Sequence, residues 1–182
     1  MTTLIGISGS LRRGSFNSAL LHAATALVPD GARLEIADIS AIPLYNYDVE
    51  VEGIPPTVAQ LKDQVAAADG LLICTPEYNN SIPGVLKNAI DWMTRPPDDV
   101  ARVFHGRCVA VMGASPGPFG TILSQNAWLP VLRTLRTRPW FESRLMVSRA
   151  GTVFNEKGEL VDEKVRGQLR QFIEGFVDFV RD

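Results

Sequence analysis

Short apolar runs alternate with amphipathic stretches from one end of the chain to the other. The apolar runs are typical of strands buried on both faces, and we expect five of them, at residues 3–8, 33–37, 70–75, 107–114 and 144–148. Apolar residues at helical spacing predict five helices, at residues 18–28, 58–68, 82–93, 121–135 and 163–180. The segment 41–56, rich in Pro, Tyr and Asn, is expected to be a loop. This alternation predicts an α/β fold in which a parallel sheet carries helices on both faces.

Polar residues and prolines set the expected ends of these helices. Asn17 or Ser18 is predicted to cap the first helix, and Thr57 the second. Pro83 is expected in the first turn of the third helix, where a proline is tolerated. Pro130 lies inside the fourth helix and should kink or restart it, because proline lacks the N–H that the helix needs.

Length and composition are those of an ordinary globular protein. With 182 residues the chain is expected to form one domain, residues 1–182, and 46% of its residues are hydrophobic and 21% charged. No apolar run reaches the ~20 residues of a membrane helix. The first residues lack the basic start and the cleavage site of a signal peptide. We therefore expect a cytoplasmic protein with no membrane partner.

The charge balance and the few cysteines and histidines argue against several classes of function. A net charge of −2 provides no basic field for nucleic acid, and it argues against an electron carrier that docks through a strongly charged face. Cys74 and Cys108 lie far apart in apolar runs, and we expect both to be buried. With only His22 and His105 available, we expect no metal site and no histidine-based catalytic triad.

The segment 9–18, after the first strand, is rich in groups that bind phosphate. It combines serine hydroxyls and Arg12 with a helix N-terminus, whose free N–H groups and partial positive charge suit an anion. Gly9 and Gly14 have the spacing of a Walker A loop, but Ser15 stands where that motif has lysine. No G-x-G-x-x-G triplet is present either. A single monoester phosphate is therefore the better fit.

Two further loops follow the third and fourth predicted strands, at the edge where open parallel sheets bind ligands. In the segment 75–84, Tyr78 is placed to stack on or cover a flat ring. Glu77 is assigned a positioning role, because no histidine or second acid lies near it in the sequence. The segment 113–120 contains three glycines and two prolines, which give a low backbone that a flat ligand can approach closely.

Together these segments resemble the NADPH-dependent FMN reductase family, which includes quinone and chromate reductases. The resemblance covers essentially the whole chain. It rests on Gly9-Ser10-Leu11-Arg12 with Ser15 and Asn17, on T-P-E-Y-N at 75–79, on P-G-x-L-K-N-x-x-D-W at 83–92, and on the glycines of 113–120. It implies a flavodoxin-like three-layer sandwich, an α/β fold with a five-stranded parallel sheet in the order 2-1-3-4-5.

By this resemblance, FMN would contact all three loops. Its phosphate would be bound by Ser10, Arg12, Ser15, Phe16, Asn17 and Ser18. Its isoalloxazine ring would be lined, largely through backbone groups, by Pro76, Glu77, Tyr78 and Asn79, and flanked from the other side by Ser115, Gly117 and Gly120. Lys87 and Asp91 are expected to pair on a helix surface, and Trp92 to serve packing or an interface.

The resemblance also implies the activity. NAD(P)H would pass a hydride to N5 of the flavin, and a quinone, a free flavin, an azo compound or a chromate-like oxyanion would then take the electrons at the same place, by a ping-pong mechanism. No catalytic residue of the protein is then required. Two alternatives stay open: an FMN electron carrier, and a flavin-binding sensor without NAD(P)H turnover.

Members of the resembled family are dimers or tetramers, so a homodimer or homotetramer that helps to enclose the flavin is expected. Three tryptophans, taken to be exposed, are compatible with such an interface: Trp92, Trp128 and Trp140. Three arginines form a basic cluster near Glu142: Arg133, Arg136 and Arg138. This cluster is interpreted as a solvated or intersubunit salt-bridging surface, with a contact to the phosphate of the nicotinamide cofactor as the alternative.

Overall fold

A computed structural model describes residues 1–182 and contains six strands and seven α-helices. The strands are β1 (Thr2–Ser8), β2 (Ala32–Ala37), β3 (Gly70–Cys74), β4 (Cys108–Ala114), β5 (Arg138–Pro139) and β6 (Leu145–Val147). The helices are α1 (Phe16–Thr25), α2 (Tyr47–Glu52), α3 (Pro56–Ala67), α4 (Gly84–Met93), α5 (Asp99–Phe104), α6 (Ile122–Thr134) and α7 (Glu163–Arg181). A short 3₁₀ turn, Ala150–Thr152, precedes α7.

All strands run parallel in one sheet. The order is β2-β1-β3-β4, and the short strands β5 and β6 pair with different parts of β4. The predicted order 2-1-3-4-5 is confirmed, with β6 at the place of the predicted fifth strand, 144–148. The sequence does not predict β5, because a pairing of two residues leaves no periodic pattern.

The sheet separates two hydrophobic clusters. Successive residues of a strand point to opposite faces, so Leu4 packs with α1 and α7 while Ile5 packs with α3 and α4. Helices therefore cover both faces, as the apolar strands predict. Cys74 and Cys108 are buried in the first of these clusters, as expected. No helix in the structure combines the length and the apolar character that crossing a membrane requires.

The first and third helices begin at residues other than those predicted. Ser15 caps α1, its Oγ accepting a hydrogen bond from Ser18 N at 3.3 Å, so the predicted caps Asn17 and Ser18 are wrong. Pro55 precedes α3, and the predicted cap Thr57 lies inside that helix. Proline replaces a side-chain cap here because its fixed φ suits the entry to a helix.

Of two further prolines, Pro83 lies just outside the helix in which it is predicted, and Pro130 lies inside its helix as predicted. Pro83 is the residue before α4, in an extended conformation, so the helix begins at Gly84 rather than at Ile82. Pro130 lies within α6, which continues on both sides of it without a restart. Proline cannot donate to the carbonyl four residues earlier. That carbonyl belongs to Asn126, which is exposed, so water can satisfy it.

Two helices of six residues occur where no helix is predicted. α2 lies within the expected loop 41–56 and begins after Asn46, whose side chain accepts a hydrogen bond from Asp48 N at 2.9 Å. α5 is attached to α3 by the buried Lys62, whose ammonium donates to Asp99 Oδ2 at 2.6 Å. Helices this short show too few turns for a helical period, so the hydrophobic pattern does not reveal them.

All three tryptophans are buried, which contradicts the prediction that they are exposed at an interface. Trp92 and Trp128 are fully buried, and Trp140 is 6% exposed. The indole N–H of Trp92 donates to Pro43 O at 2.8 Å, and that of Trp128 to Thr75 Oγ1 at 3.2 Å. Burial is tolerated because these two polar atoms keep hydrogen-bond partners. Trp92 therefore serves packing, the first of its two predicted roles.

Candidate functional site

Three loops meet at the carboxyl edge of the sheet, after the neighbouring strands β1, β3 and β4. We refer to them as the first loop (9–18), the second loop (75–84) and the third loop (113–120). Hydrogen bonds continue past the strand ends, from Gly9 N to Cys74 O and from Thr75 N to Met112 O, each at 2.8 Å. The loops therefore lie side by side, as the sequence predicts.

Asn17 fixes the first loop to the end of β4. Its Nδ2 donates to Ala114 O and its Oδ1 accepts from Ala114 N, each at 2.9 Å and away from solvent. Cys74 Sγ donates to Asn17 O at 3.2 Å, and burial raises the pKa of this thiol, which keeps it protonated. The side-chain amide of Asn17 is thus engaged in structural hydrogen bonds, and its backbone N–H is the group left for an anion.

The backbone N–H groups of the first loop are largely unpaired. Between residues 11 and 17 only Ser15 N donates to another group of the protein, Arg12 O at 3.2 Å. The remaining N–H groups belong to Leu11, Arg12, Arg13, Gly14, Phe16 and Asn17. They surround a turn that leads into the N-terminus of α1, where the helix dipole adds positive charge. This arrangement suits an anion with several oxygen atoms.

Serine hydroxyls border the same turn. Ser8 Oγ and Ser18 Oγ lie 2.9 Å apart, and Ser10 N donates to Ser8 Oγ at 3.4 Å. Ser10 and Ser18 are half-buried, whereas Ser15 is buried because it caps α1. The structure thus brings together the three serines that the sequence predicts as phosphate contacts.

Arg12 supplies an exposed cation at the first loop. Its guanidinium lies over the ring of Phe16, 5.5 Å from the ring centroid, and forms no ion pair with a carboxylate. Phe16 stacks in turn on Phe154, with ring centroids 5.9 Å apart. The aromatic contact orients the guanidinium and leaves its charge available to a ligand.

The second loop folds into a tight turn that exposes Tyr78. Tyr78 and Ser81 exchange two backbone hydrogen bonds, of 3.1 and 3.0 Å, and Asn79 and Asn80 between them have φ of 49° and 62°. Positive φ at both central residues is found in type I′ turns, and asparagine tolerates it better than most residues. The Asn-Asn pair is the sequence signal for this turn. Tyr78 is 44% exposed, so its ring is free to cover a ligand.

Glu77 uses its carboxylate to cap a helix. Its Oε2 accepts hydrogen bonds from Leu123 N at 2.9 Å and from Ser124 N at 3.1 Å, in the first turn of α6. The residue before that helix, Thr121, provides no side-chain cap of its own. Glu77 therefore fixes the second loop to α6, which agrees with its predicted positioning role.

Gly9 allows the first and second loops to touch. A Cβ atom at Gly9 would lie 2.8 Å from Pro76 Cδ and 2.8 Å from Leu86 Cδ2, closer than carbon atoms approach in proteins. Pro76 is buried at this contact. Any larger residue at position 9 would push the two loops apart.

The third loop is fixed to β6 and to the turn after it. Ser115 N donates to the last carbonyl of β6, and Arg149 N donates to Gly117 O, each at 2.9 Å. Gly120 has φ of 64°, and a Cβ atom there would lie 2.9 Å from Met146 Cβ. Gly120 thus serves close backbone packing, whereas a Cβ atom at Gly117 would meet only Ser115 Oγ, at 3.8 Å. Ser115 is half-exposed at the loop.

A cleft of about 610 Å³ opens beside the first loop. One of its walls contains Arg12, Ser15, Phe16 and Ser18, and the other is the segment 155–158. The sequence does not mark 155–158 as part of a site, because the segment has no motif and lies far from the first loop along the chain. Only the folded structure brings these two walls together.

The remaining charged residues singled out from the sequence lie outside the three loops. Lys87 Nζ and Asp91 Oδ1 pair at 2.7 Å, as predicted. The basic cluster is exposed and forms no ion pair with Glu142: Arg133, Arg136 and Arg138. Arg138 instead lies over the ring of Phe179, 4.3 Å from its centroid. Within one chain this surface is solvated.

Comparisons with known proteins agree with this geometry. The model of the family described as NADPH-dependent FMN reductase matches residues 2–152. The chain belongs to the NADPH-dependent FMN reductase family. It is 47% identical to an NAD(P)H-dependent FMN reductase of Pseudomonas aeruginosa, over 98% of this chain and 95% of that protein. It is 38% identical to a 2-hydroxy-1,4-benzoquinone reductase of a Burkholderia species, over 97% and 94% respectively.

Among solved structures, this FMN reductase resembles FerB, a flavoenzyme NAD(P)H:(acceptor) oxidoreductase from Paracoccus denitrificans. The TM-score is 0.89 at 32% sequence identity, and the match covers 100% of this chain and 98% of FerB. The flavodoxin-like fold is thereby confirmed. As a member of this family the chain is an oxidoreductase, with FMN as its cofactor and NAD(P)H as its co-substrate.

The residues present at the sheet edge of this FMN reductase fit FMN. A monoester phosphate needs several donors and a positive charge, and the unpaired N–H groups at 11–14 and 16–17 and the exposed Arg12 provide both. A flat ring needs backbone without bulky side chains and an aromatic neighbour. Gly117 of the third loop, where a Cβ atom would meet only Ser115 Oγ at 3.8 Å, and the exposed Tyr78 meet those two requirements.

Proposed function

We propose that this FMN reductase reduces small acceptors, quinones among them, with electrons from NAD(P)H at an FMN bound across the three loops. The observation that carries the proposal is the set of unpaired N–H groups at 11–14 and 16–17, at an edge that the second and third loops complete. FMN held by the three loops would supply the hydride and electron transfer between NAD(P)H and the acceptor. The residues of the chain bind FMN and position the two substrates.

The first loop binds the phosphate in this proposal. Its N–H groups and the positive end of α1 surround the phosphate oxygens, and Arg12 adds a charge that no carboxylate neutralises. Three hydroxyls complete the donor set: Ser10, Ser15 and Ser18. Asn17 contributes its backbone N–H, because its side chain is bonded to Ala114. Phe16 acts through the orientation of Arg12.

The second and third loops border the ring. Pro76, Tyr78 and Asn79 line one side, mostly through backbone groups, with the Tyr78 ring as a cover. Glu77 holds this loop against α6. The opposite side is formed by residues whose backbone lies low against β6: Ser115, Gly117 and Gly120.

Both substrates would use the open side of the site between the second and third loops in turn, which would give ping-pong kinetics. Neither thiol of the chain competes for the reaction, since Cys74 and Cys108 are both buried, and burial raises the pKa of the Cys74 thiol. The chain therefore binds, orients and shields, and needs no acid–base pair. The open side of the site is flat and therefore accepts quinones, free flavin and azo compounds. The positive charge of Arg12 beside it admits chromate-like oxyanions. The names of the Pseudomonas and Burkholderia relatives support flavin and quinone as acceptors.

The test mixes the FMN-loaded protein with NADPH and menadione and follows NADPH absorbance. We expect sustained oxidation of NADPH, with parallel lines in double-reciprocal plots at several menadione concentrations. Bound FMN without oxidation of NADPH would instead indicate an electron carrier. Bound FMN that is neither reduced by NAD(P)H nor able to pass on electrons would indicate a sensor. Intersecting lines would contradict the ping-pong order.

A further inference from the structure

A hairpin, residues 154–160, lies across a cleft from the first loop and beyond the residues 2–152 that match the family model. Its backbone is closed by hydrogen bonds from Asn155 N to Glu159 O at 3.0 Å and from Gly158 N to Asn155 O at 2.9 Å. Asn155 Oδ1 also accepts from Lys157 N at 3.0 Å and from Glu159 N at 2.9 Å. The backbone that carries Lys157 is therefore fixed.

The hairpin packs directly on the first turns of α1. Phe154 at its base stacks on Phe16, with centroids 5.9 Å apart and an interplanar angle of 26°. Near its tip, a Cβ atom at Gly158 would lie 3.8 Å from Ala19 Cβ, which is an ordinary van der Waals distance. The Phe154–Phe16 stack, together with the close approach of the hairpin to Ala19, thus places the hairpin against α1.

Lys157 and Arg12 line the same cleft from opposite walls. Lys157 is exposed and forms no ion pair. The other titratable side chains of the cleft are those of His22 and of the exposed Glu156. Two unpaired cations therefore face one cleft that contains a single carboxylate.

We propose that Lys157 is a second cationic ligand of the FMN phosphate, which the hairpin supplies from outside the three loops. A phosphate monoester carries a charge of about −1.5 to −2 at pH 7 and three terminal oxygens. Arg12 is the one arginine that lines the cleft, and its single charge neutralises only part of that. The ammonium is mobile and has three donors, so it reaches oxygens that the fixed N–H groups leave unpaired. This inference rests on the proposed FMN site.

The test compares dissociation constants for FMN and for riboflavin, which has the same ring and no phosphate. Binding is followed by quenching of flavin fluorescence at pH 8, at low and at moderate salt. We expect Lys157→Ala to weaken FMN roughly five- to tenfold and to leave riboflavin unchanged. Lys157→Arg should restore most of the loss, and added salt should reduce the difference between variant and wild type. The matched control is Lys164→Ala, an exposed lysine outside the cleft, which should bind both flavins as the wild type does.

Two outcomes would overturn the inference. If Lys157→Ala binds FMN as tightly as the wild type, Lys157 is a solvated surface residue. If the variant loses FMN and riboflavin equally, the hairpin acts only through packing. The proposed function fails separately: a wild-type protein that binds neither flavin, or does not prefer FMN over riboflavin, would remove the phosphate site whatever Lys157 does.

Discussion

Polar side chains have two different uses at this site: some hold the loops in position, and others are left for a ligand. Asn17 and Glu77 are both predicted as cofactor contacts, and both place their side-chain polar atoms on backbone groups of other elements. Such hydrogen bonds hold the loops in position, and the sequence cannot distinguish them from ligand contacts because the same chemistry serves both. Arg12 is different, since no carboxylate of the chain pairs with it.

A double variant tests the residues assigned to the phosphate. Replacing Arg12 with Ala removes the unpaired cation, and replacing Ser15 with Ala removes the N-cap of α1. Loss of such a cap by itself costs about 1 kcal/mol of stability. We expect FMN to be lost during purification, with affinity reduced at least ~10-fold, as measured by the ratio of flavin to protein absorbance. The control is Arg13→Ala, which alters a neighbouring exposed arginine that does not line the cleft, and it should retain FMN. Retention by the double variant equal to that of the control would contradict the assignment.

At the scale of elements, prolines and short helices account for most differences between prediction and structure. Pro55 and Pro83 set the starts of α3 and α4 through their fixed φ, where the sequence favours neighbouring side chains as helix starts. α2 and α5 are too short to show a period. The long periodic helix α7, by contrast, is predicted to within one residue at its end.

Two residues of the P-G-x-L-K-N-x-x-D-W motif hold the segment 41–56. Asn88 Oδ1 accepts from Tyr45 N, and Asn88 Nδ2 and Trp92 Nε1 both donate to Pro43 O, each at 2.8 Å. Asn88 and Trp92 are four residues apart and therefore lie on one face of α4. Asn88 and Trp92 therefore serve the fold. These two positions of the motif are explained by a tertiary contact with the segment 41–56.

Replacing Trp92 with Phe tests that role. The variant keeps a ring in the core and removes the N–H that bonds to Pro43 O, so we expect a loss of about 1 kcal/mol in urea unfolding. Backbone amides of the segment 41–56 should exchange faster with deuterium. The control is Tyr47→Phe, which removes the hydroxyl of a side chain that is 63% exposed and should change neither measurement. Unchanged exchange in the Trp92 variant would show that the segment is held by other contacts.

For the whole molecule, alternation of apolar strands and amphipathic helices was sufficient to predict a parallel sheet covered on both faces and the edge at which the loops meet, and the family resemblance implied the sheet order that the structure has. Two features were beyond the sequence. The tryptophans are buried because partners distant in the chain satisfy two of their indole N–H groups. The hairpin 154–160 reaches α1 through the Phe154–Phe16 stack, a contact that no local pattern encodes. Long-range contacts of this kind form only when the chain folds.

The central claim is that the N–H groups of the first loop bind the phosphate of FMN. Amide chemical shifts in ¹H–¹⁵N spectra test it directly, by titration of the ¹⁵N-labelled protein with FMN and, separately, with riboflavin. The amide shifts of residues 78–80 should change with both flavins, because both contain the isoalloxazine ring. Shifts at residues 11–14, 16 and 17 should be large with FMN and small with riboflavin. FMN saturation that leaves these amides unmoved, or moves them equally with riboflavin, would contradict the account.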